Sequence, residues 1–341
     1  MKSLPIGNDD FKDIRKTRVY YVDKTHLIED ILSEPGVNVF LFTRPRRFGK
    51  TLNLSMLDAY FNIRYAGNDW FDGLKISKNS EYGSEKNFYP TIFISLKDLN
   101  SKNYESFLND LHNLMMNLCT QFEYLPESDI SPNLKNVFSD LYYGNASEST
   151  LKNSLRSLYL MLKQYHGKNT ILLIDEYDNP LQNSCGNDSQ DKIISFVRGF
   201  LSPALKSNDD LKMAVVTEVM QIAKESIFFG LNNLNVNNVF SSRFNEAFGF
   251  TEKEVSNILT DFDHSDKLDE IRKWMTDIVS VTSMSTIPGV FSNTSMKDSN
   301  PEHIGQVPTA MTSSTHPWTS LMRMSGRILR NSVRKVPLSR N

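Results

Sequence analysis

The chain has 341 residues, which is enough for one large domain or two ordinary ones. Its formal net charge of -2 provides no general attraction to nucleic acids or to anionic membranes. We expect a cytoplasmic protein without a membrane segment, because no apolar run approaches the ~18 residues that span a bilayer and no secretory leader is visible. The two cysteines, Cys119 and Cys185, lack metal or redox spacing, which fits reduced thiols.

Short apolar runs alternate with amphipathic runs over the first 274 residues. The pattern predicts, in chain order, a strand end at 20–25 leading into a helix through about 33, a strand at 37–43, a helix at 50–63, a strand at 90–96 and a helix at 104–121. It then predicts a helix at 147–165, a strand at 170–176, a helix at 191–205, a strand at 212–218 and a helix from Thr251, with Glu254 completing a capping box. Nearly continuous apolar strands between helices indicate an α/β fold with a parallel sheet covered on both faces.

Residues 44–51, with the sequence RPRRFGKT, lie between a predicted strand and a predicted helix. They match the phosphate-loop pattern GxxxxGK[ST] (Walker A) except at the first position, where arginine replaces glycine. In such a loop Gly49 lets the backbone approach phosphate, Lys50 reaches the β- and γ-phosphates, and the Thr51 hydroxyl ligates Mg²⁺. A basic turn before a helix would have the same residues, so the loop alone does not decide. The predicted nucleotide contacts are Arg44, Pro45, Arg46, Arg47, Phe48, Gly49, Lys50, Thr51 and Leu52.

A pair of acidic residues follows the apolar run at 171–174. Ligands of open α/β sheets bind at the carboxyl ends of the strands, where Asp175 and Glu176 are predicted to lie. In a phosphate-loop enzyme Asp175 would hold Mg²⁺ (Walker B) and Glu176 would be the general base for the attacking water. Thr217, near the end of the strand at 212–218, is a candidate contact of the γ-phosphate. The two motifs in this order favour nucleotide binding, although an Asp-Glu pair can also simply end a strand.

The motifs resemble those of the bacterial AAA-ATPase-like family, whose loop reads RPRRFGK followed by Ser or Thr. That loop is matched in full, so the resemblance accounts for the arginine at position 44. The resemblance covers about residues 4–274 and includes YVDKT at 21–25, LLIDEYDNP at 172–180, IFFGLNNL at 227–234 and FGFTEKEV at 248–255. It implies a P-loop NTPase fold with ATP and Mg²⁺ as ligands. It also implies phosphate and metal roles for Lys50 and Thr51, and metal and water-activating roles for Asp175 and Glu176.

The same resemblance carries expectations about partners. The ATPase-like domain of the family is usually followed by a restriction-endonuclease-like domain, so nucleic acid is expected as a partner only indirectly, through such a domain. Related ATPases commonly form rings, which leaves a homo-oligomer open. No membrane partner is expected.

One departure from the family pattern bears on catalysis. Where the family tends to read Thr-Gly-Val-x-Arg, this chain reads TEVMQ at 217–221. Glu218 would add negative charge near the phosphates, and Gln221 cannot stabilise transition-state charge as an arginine does. Both residues could instead lie outside the site. The expected function is therefore ATP binding with Mg²⁺-dependent hydrolysis, and the alternative is a non-catalytic module that binds a nucleotide or another polyanion.

The composition changes sharply near residue 275. The last 67 residues contain only two aromatic residues, Phe291 and Trp318, whereas 20 of them are Ser or Thr. Such a segment buries too little apolar surface to offset the entropy of ordering it. We therefore expect an ATPase-like domain over 1–274, with a helical end at roughly 244–274, and a disordered tail over 275–341.

The tail has a second interpretation. The family continues after the equivalent of Trp274 with a sequence like YDGYRFG and then YNPWSV. Back-translating residues 275–291 and regrouping the bases one nucleotide earlier permits both sequences in order. We therefore expect a base missing at about codon 275, so that the tail is read out of frame and the nuclease-like domain is lost; a genuine Ser/Thr-rich tail is the alternative.

Arg243 is expected to have a surface role.

Overall fold

The computed structural model describes residues 3–272 apart from 6, 35, 100, 101, 187, 207, 220–233, 240 and 270. The chain divides into two units, Asn8–Phe248 and a second unit made of Met1–Gly7 with Gly249–Asn341. The predicted tail and Gln221 lie outside the described residues, as does most of the motif at 227–234.

The described strands of the larger unit are separated by one or more helices, except for β4 and β5, between which residues 220–233 are not described. Its α-helices are α1 (Phe11–Thr17), α2 (His26–Leu32), α3 (Lys50–Phe61), α4 (Tyr104–Cys119), α5 (Pro132–Tyr142), α6 (Glu148–Lys152), α7 (Ser154–His166), α8 (Asn179–Asn183) and α9 (Gln190–Leu205). Its strands are β1 (Val39–Thr43), β2 (Thr91–Ser95), β3 (Thr170–Asp175), β4 (Leu211–Glu218) and β5 (Leu234–Asn237). Short 3₁₀ helices occupy Ile63–Tyr65, Lys75–Lys78, Ser80–Glu85 and Thr120–Phe122.

The sheet positions the strand ends that the sequence singled out. Its five described strands have the order β2-β3-β4-β1-β5, and all their pairings are parallel. The α/β class with a parallel sheet flanked by helices is thus confirmed. In this order β4 separates β1 from β3, and Thr43 at the end of β1 pairs with Glu218 at the end of β4. The carboxyl ends of the strands before the two predicted motifs therefore lie at one edge, with β4 between them.

Helices cover both faces of the sheet. Alternate strand residues point to opposite faces, so neighbouring residues of one strand pack against different helices. Phe40 and Phe42 belong to the core cluster that includes side chains of α1, α2 and α3, whereas Val39 and Leu41 belong to the cluster that includes α4, α7 and α9. Every residue of β1 is buried, as in a strand with helices on both sides. This explains why the strands read as continuous apolar runs in the sequence.

Four predicted strands are confirmed within two residues at each end, but the strand end predicted at 20–25 is wrong. There the Asp23 carboxylate holds a turn: its Oδ1 accepts from the Thr25 amide at 2.9 Å and its Oδ2 accepts from the Lys75 amide at 2.7 Å. An aspartate that binds nearby backbone amides competes with strand pairing. The helix predicted after it is confirmed as α2.

The helix predicted at 147–165 is two helices, α6 and α7, that meet at Asn153. The Asn153 side chain donates to the carbonyl of Ser149 at 3.0 Å, a local bond that competes with continuing the helix. Sequence analysis missed α1, α5, α8 and β5. Of these, α5 carried a readable signal, since it begins with Pro132 after Ser131.

The smaller unit contains the helix predicted from Thr251, here α10 (Glu252–Asp261), followed by a 3₁₀ turn at Ser265–Lys267. The Thr251 hydroxyl accepts from the Glu254 amide and the Glu254 carboxylate accepts from the Thr251 amide, so the predicted capping box is confirmed. Arg272 donates to Glu252 and Asp269 within the same unit.

Matched leucine substitutions test the assignment of the core. Leu172 in β3 is fully buried, whereas Leu160 on α7 is 37% exposed. We expect Leu172→Ala to lower the free energy of unfolding by about 2–5 kcal/mol, because it removes buried methyl groups and leaves a cavity. Leu160→Ala should change it by less than about 0.5 kcal/mol. Urea unfolding followed by circular dichroism measures both, and equal effects would contradict this core.

Candidate functional site

The loop at 44–49 joins the end of β1 to the start of α3. Two of its residues have left-handed backbones, Arg47 with φ of 71° and Gly49 with φ of 77°. Gly49 adopts this conformation without steric cost and caps α3, whose first helical bond runs from the Asn53 amide to the Gly49 carbonyl at 2.9 Å. The unpaired amides at the start of α3 and the positive end of its dipole therefore lie beside the loop.

Lys50 is buried and its ammonium group is turned back onto the loop. Its Nζ donates to the carbonyl oxygens of Arg44 at 2.9 Å and Pro45 at 3.0 Å. Burial lowers the pKa of Lys50. The negative charges of Glu176, Asp175 and Asp178 oppose this effect, whereas the positive charge of Arg46 adds to it. The ammonium therefore lies within electrostatic reach of both predicted acids.

Three predicted site residues from separate elements meet at Asp175. This carboxylate, at the end of β3, is buried, and each of its oxygens accepts a hydroxyl. Thr51 Oγ1, from α3, donates to Oδ2 at 2.6 Å, and Thr217 Oγ1, from β4, donates to Oδ1 at 2.6 Å. A buried carboxylate is costly unless it is hydrogen-bonded, so these two bonds fix the approach of α3 and β4 to the end of β3.

Glu176 follows Asp175 in an unusual backbone conformation. Its φ is 50°, in the left-handed region that non-glycine residues adopt only at a cost of about 1–2 kcal/mol. Its amide donates to Thr217 Oγ1 at 3.2 Å, and the next amide, of Tyr177, donates to the Thr217 carbonyl at 3.2 Å. Burial raises the pKa of the Glu176 carboxyl, and the charge of Asp175 raises it further, while Lys50 counteracts them.

The Arg44 side chain points away from the rest of the loop. Its guanidinium is buried, with 3% of the residue exposed, and its Nη1 donates to the carbonyls of Thr43 at 2.9 Å and Asn237 at 2.8 Å. The guanidinium carbon lies 5.0 Å from the ring centroid of Phe248, and burial lowers the pKa of Arg44 to about 10. The Arg44 side chain therefore connects the start of the loop to the end of β5.

The other predicted loop residues are more exposed. Arg46 and Arg47 are exposed, whereas Pro45 is half-buried. Phe48 and Leu52 are half-buried and pack against the core cluster that contains Phe42. Outside the loop, Arg243 pairs with Glu34 and has about half of its side chain exposed, so it lies at the surface.

Three further residues lie beside the acids; sequence analysis gave no role to Tyr177 or Asp178 and left open whether Glu218 belongs to the site. Asp178 is buried and its Oδ2 accepts from the Val219 amide at 3.0 Å. Tyr177 and Glu218 are buried, and the Tyr177 hydroxyl donates to Glu218 Oε2 at 2.7 Å. The Glu218 carboxylate thus accepts from a hydroxyl of the segment that follows β3. The sequence did contain one signal for Asp178, a third acid three residues after Asp175.

The donor set suits a metal that keeps part of its coordination outside the protein. Among the described residues, no group of three or more His, Cys, Asp or Glu side chains could hold a metal. The Thr51 hydroxyl donates its proton to Asp175, which leaves the lone pairs of its oxygen for a cation. One hydroxyl and one carboxylate fit Mg²⁺, which usually binds through few protein groups together with phosphate oxygens and water.

A parallel α/β sheet with a lysine-bearing loop opposite a strand-end aspartate defines a P-loop-type domain. The chain belongs to the AAA-ATPase-like family, whose model, described as "Predicted AAA-ATPase", matches residues 5–228. This confirms the resemblance seen in the motifs.

One curated relative is similar over a longer stretch. The chain is 30% identical over 279 residues to the "Uncharacterized protein in vnfD 5'region" of Azotobacter chroococcum mcd 1, a match that covers 80% of this chain. The chain spans about half the length of that relative, 48% of it. In the described part of the chain, no helix has the length and apolarity to cross a membrane.

Arg44 and Arg46 provide a matched pair of substitutions. We expect Arg44→Ala to lower the free energy of unfolding by about 2 kcal/mol or more, because two buried carbonyls lose their donor and Phe248 loses its cation. Arg46→Ala removes an exposed guanidinium and should cost less than about 0.5 kcal/mol. Urea unfolding measures both, and a smaller loss for Arg44→Ala than for Arg46→Ala would contradict the structural role of Arg44.

Proposed function

We propose that the chain binds ATP with Mg²⁺ at the carboxyl edge of its sheet and hydrolyses the bond between the β- and γ-phosphates. The observation that carries this proposal is the meeting of Thr51, Asp175 and Thr217 at 2.6 Å hydrogen bonds, beside the Lys50 loop. Membership in the AAA-ATPase-like family supports a nucleoside triphosphate as the ligand.

The loop would bind the phosphates through backbone amides and one lysine. The left-handed Gly49 caps α3 and places no side chain between the helix amides and a ligand. Lys50 donates to two loop carbonyls, and on binding a nucleotide it would exchange these neutral acceptors for phosphate oxygens. Hydrogen bonds to charged acceptors are the stronger ones, so this exchange favours the bound state.

Thr51 and Asp175 would hold the metal. A bound Mg²⁺ would supply positive charge that offsets the negative charge developing on the phosphates. Thr51 Oγ1 would contribute a lone pair while its proton stays on the bond to Asp175 Oδ2. Thr217 holds the other oxygen, Oδ1, so that the carboxylate keeps its orientation.

Glu176 would act as the general base. It would accept a proton from a water molecule whose oxygen bonds to the γ-phosphorus, while the bond from that phosphorus to the β-phosphate oxygen breaks and ADP leaves. Burial and Asp175 raise the pKa of the Glu176 carboxyl, which makes it a stronger base than an exposed glutamate. Arg46, an exposed cation of the loop, would add positive charge beside the phosphates.

Substitution of Lys50 and Glu176 tests binding and turnover separately. We expect Lys50→Ala to abolish both the thermal stabilisation by Mg-ATP and phosphate release, because it removes the phosphate-binding cation. Glu176→Gln should keep the stabilisation and reduce phosphate release by about 100-fold or more, because the amide cannot accept a proton. The exposed residues Lys192 and Glu105 provide controls, as Lys192→Ala and Glu105→Gln should match the wild type.

The outcomes distinguish the candidate functions. Hydrolysis that survives in Lys50→Ala would contradict the proposed site. Binding of Mg-ATP without turnover by the wild type would instead favour the non-catalytic, nucleotide-binding module. A chain that is not stabilised by Mg-ATP at all would contradict both functions.

Thr51 provides the test of the metal site. Thr51→Val keeps the shape of the side chain but removes the hydroxyl, so the Mg²⁺ concentration for half-maximal hydrolysis should rise by about tenfold or more. Thr51→Ser keeps the hydroxyl and should stay within about threefold of the wild type. A titration of Mg²⁺ at saturating ATP measures this ratio, and identical Mg²⁺ dependence of Thr51→Val and Thr51→Ser would exclude Thr51 as a ligand.

We also propose that residues 275–341 are translated in a shifted frame. The support is the change in composition at residue 275 and the family-like sequence that regrouped codons permit. Reading the coding DNA from codon 270 tests it: the shifted frame should stay open well past codon 291. Stop codons soon after codon 274 in that frame would contradict the proposal.

A further inference from the structure

Glu218, the last residue of β4, links the end of β1 to the segment after β3, although β1 and β3 are not adjacent in the sheet. Only 1% of the residue is exposed. Its Oε1 accepts from the Thr43 hydroxyl, and its Oε2 accepts from the Tyr177 hydroxyl at 2.7 Å. Because β4 lies between β1 and β3, one carboxylate reaches both the end of β1 and the segment that follows β3.

One hydroxyl donor adjoins the loop proposed to bind the phosphates, and the other adjoins the residue proposed as general base. Thr43 ends β1 and directly precedes the phosphate loop, whose first amide, that of Arg44, donates to the Glu218 carbonyl at 3.2 Å. Tyr177 directly follows Glu176. The Glu218 carboxylate therefore spans the distance from the phosphate loop to the residue proposed as general base.

The Tyr177 contact helps to hold the left-handed backbone of Glu176. A left-handed glutamate with φ of 50° persists only where its surroundings hold it. Two of the restraints come from Thr217, through the amides of Glu176 and Tyr177. The Asn179 amide also donates to the Glu176 carbonyl at 3.1 Å, and the bond from the Tyr177 hydroxyl to Glu218 holds the side chain immediately after the strained residue.

We propose that Glu218 is a positioning residue that sets the separation between the phosphate loop and Glu176, an inference that rests on the proposed ATPase function. A carboxylate suits this task because both of its oxygens accept from hydroxyls without a donor of its own. The Tyr177 arm orients Glu176 for the chemical step. The Thr43 arm holds the entry to the phosphate loop and so governs binding of the nucleotide.

Single hydroxyl deletions separate these two arms. Tyr177→Phe should lower kcat about tenfold with KM for Mg-ATP within about twofold, because a hydrogen bond to a charged group is lost at the reacting side. Thr43→Val should raise KM about fivefold or more with kcat within about twofold, since the loss falls on the loop. In a Glu218→Gln background Tyr177→Phe should have a smaller effect than in the wild type, because the two residues share one interaction.

The chain contains matched controls for both deletions. Tyr159 is fully buried and its hydroxyl has no hydrogen-bond partner among the described residues, and the same is true of the Thr170 hydroxyl. Tyr159→Phe and Thr170→Val remove the same atoms from the core without touching Glu218. Both should keep the wild-type kcat and KM.

Each result decides between positioning and simple stabilisation of the fold. If Tyr177→Phe leaves kcat within twofold of the wild type, or if it changes kcat and KM no more than Tyr159→Phe does, the positioning role is overturned. Wild-type hydrolysis that depends on Lys50 while Tyr177→Phe is unaffected would overturn this inference alone. Absence of Lys50-dependent hydrolysis in the wild type would overturn the proposed function together with the inference.

Discussion

A carboxylate buried at the end of a parallel strand must be given hydrogen-bond donors, and Asp175 obtains them from α3 and β4. This requirement links the helix after the phosphate loop to the sheet edge. Because β4 separates β1 from β3, its terminal residues are the ones that can contact both sides. Thr217 meets Asp175 and the amide of Glu176, and Glu218 meets Thr43 and Tyr177. The chemistry proposed for this chain depends on that strand order.

The unusual first residue of the loop has an explanation in the same geometry. Arg44 stands where the general loop pattern has glycine, yet its guanidinium is buried against the carbonyl of Asn237 and the ring of Phe248. It therefore stabilises the start of the loop from behind. The exposed charges at the loop surface belong to Arg46 and Arg47. The arginines of this loop thus divide into one buried residue with a structural role and two exposed residues.

Much of this arrangement was readable from the sequence because each signal was local. Continuous apolar runs predicted the strands, and GKT after one run and Asp-Glu after another predicted which strand ends matter. The buried side of the site was not readable, since the contacts of Arg44, Glu218 and Asp178 depend on the order of the strands. A local rule also failed at residues 20–25, where the Asp23 carboxylate forms a turn in a strand-like sequence. Long-range pairing and side-chain capping are the physical information that a one-dimensional pattern lacks.

The proposed function requires Lys50 and Asp175 to act on the same bound Mg-ATP. A crystal structure of the chain with Mg²⁺ and a non-hydrolysable ATP analogue measures this most directly. The account predicts that Lys50 Nζ leaves the carbonyls of Arg44 and Pro45 to contact the β- and γ-phosphates, with the metal on Thr51 Oγ1. A nucleotide bound elsewhere, with Lys50 still on those carbonyls, would contradict it.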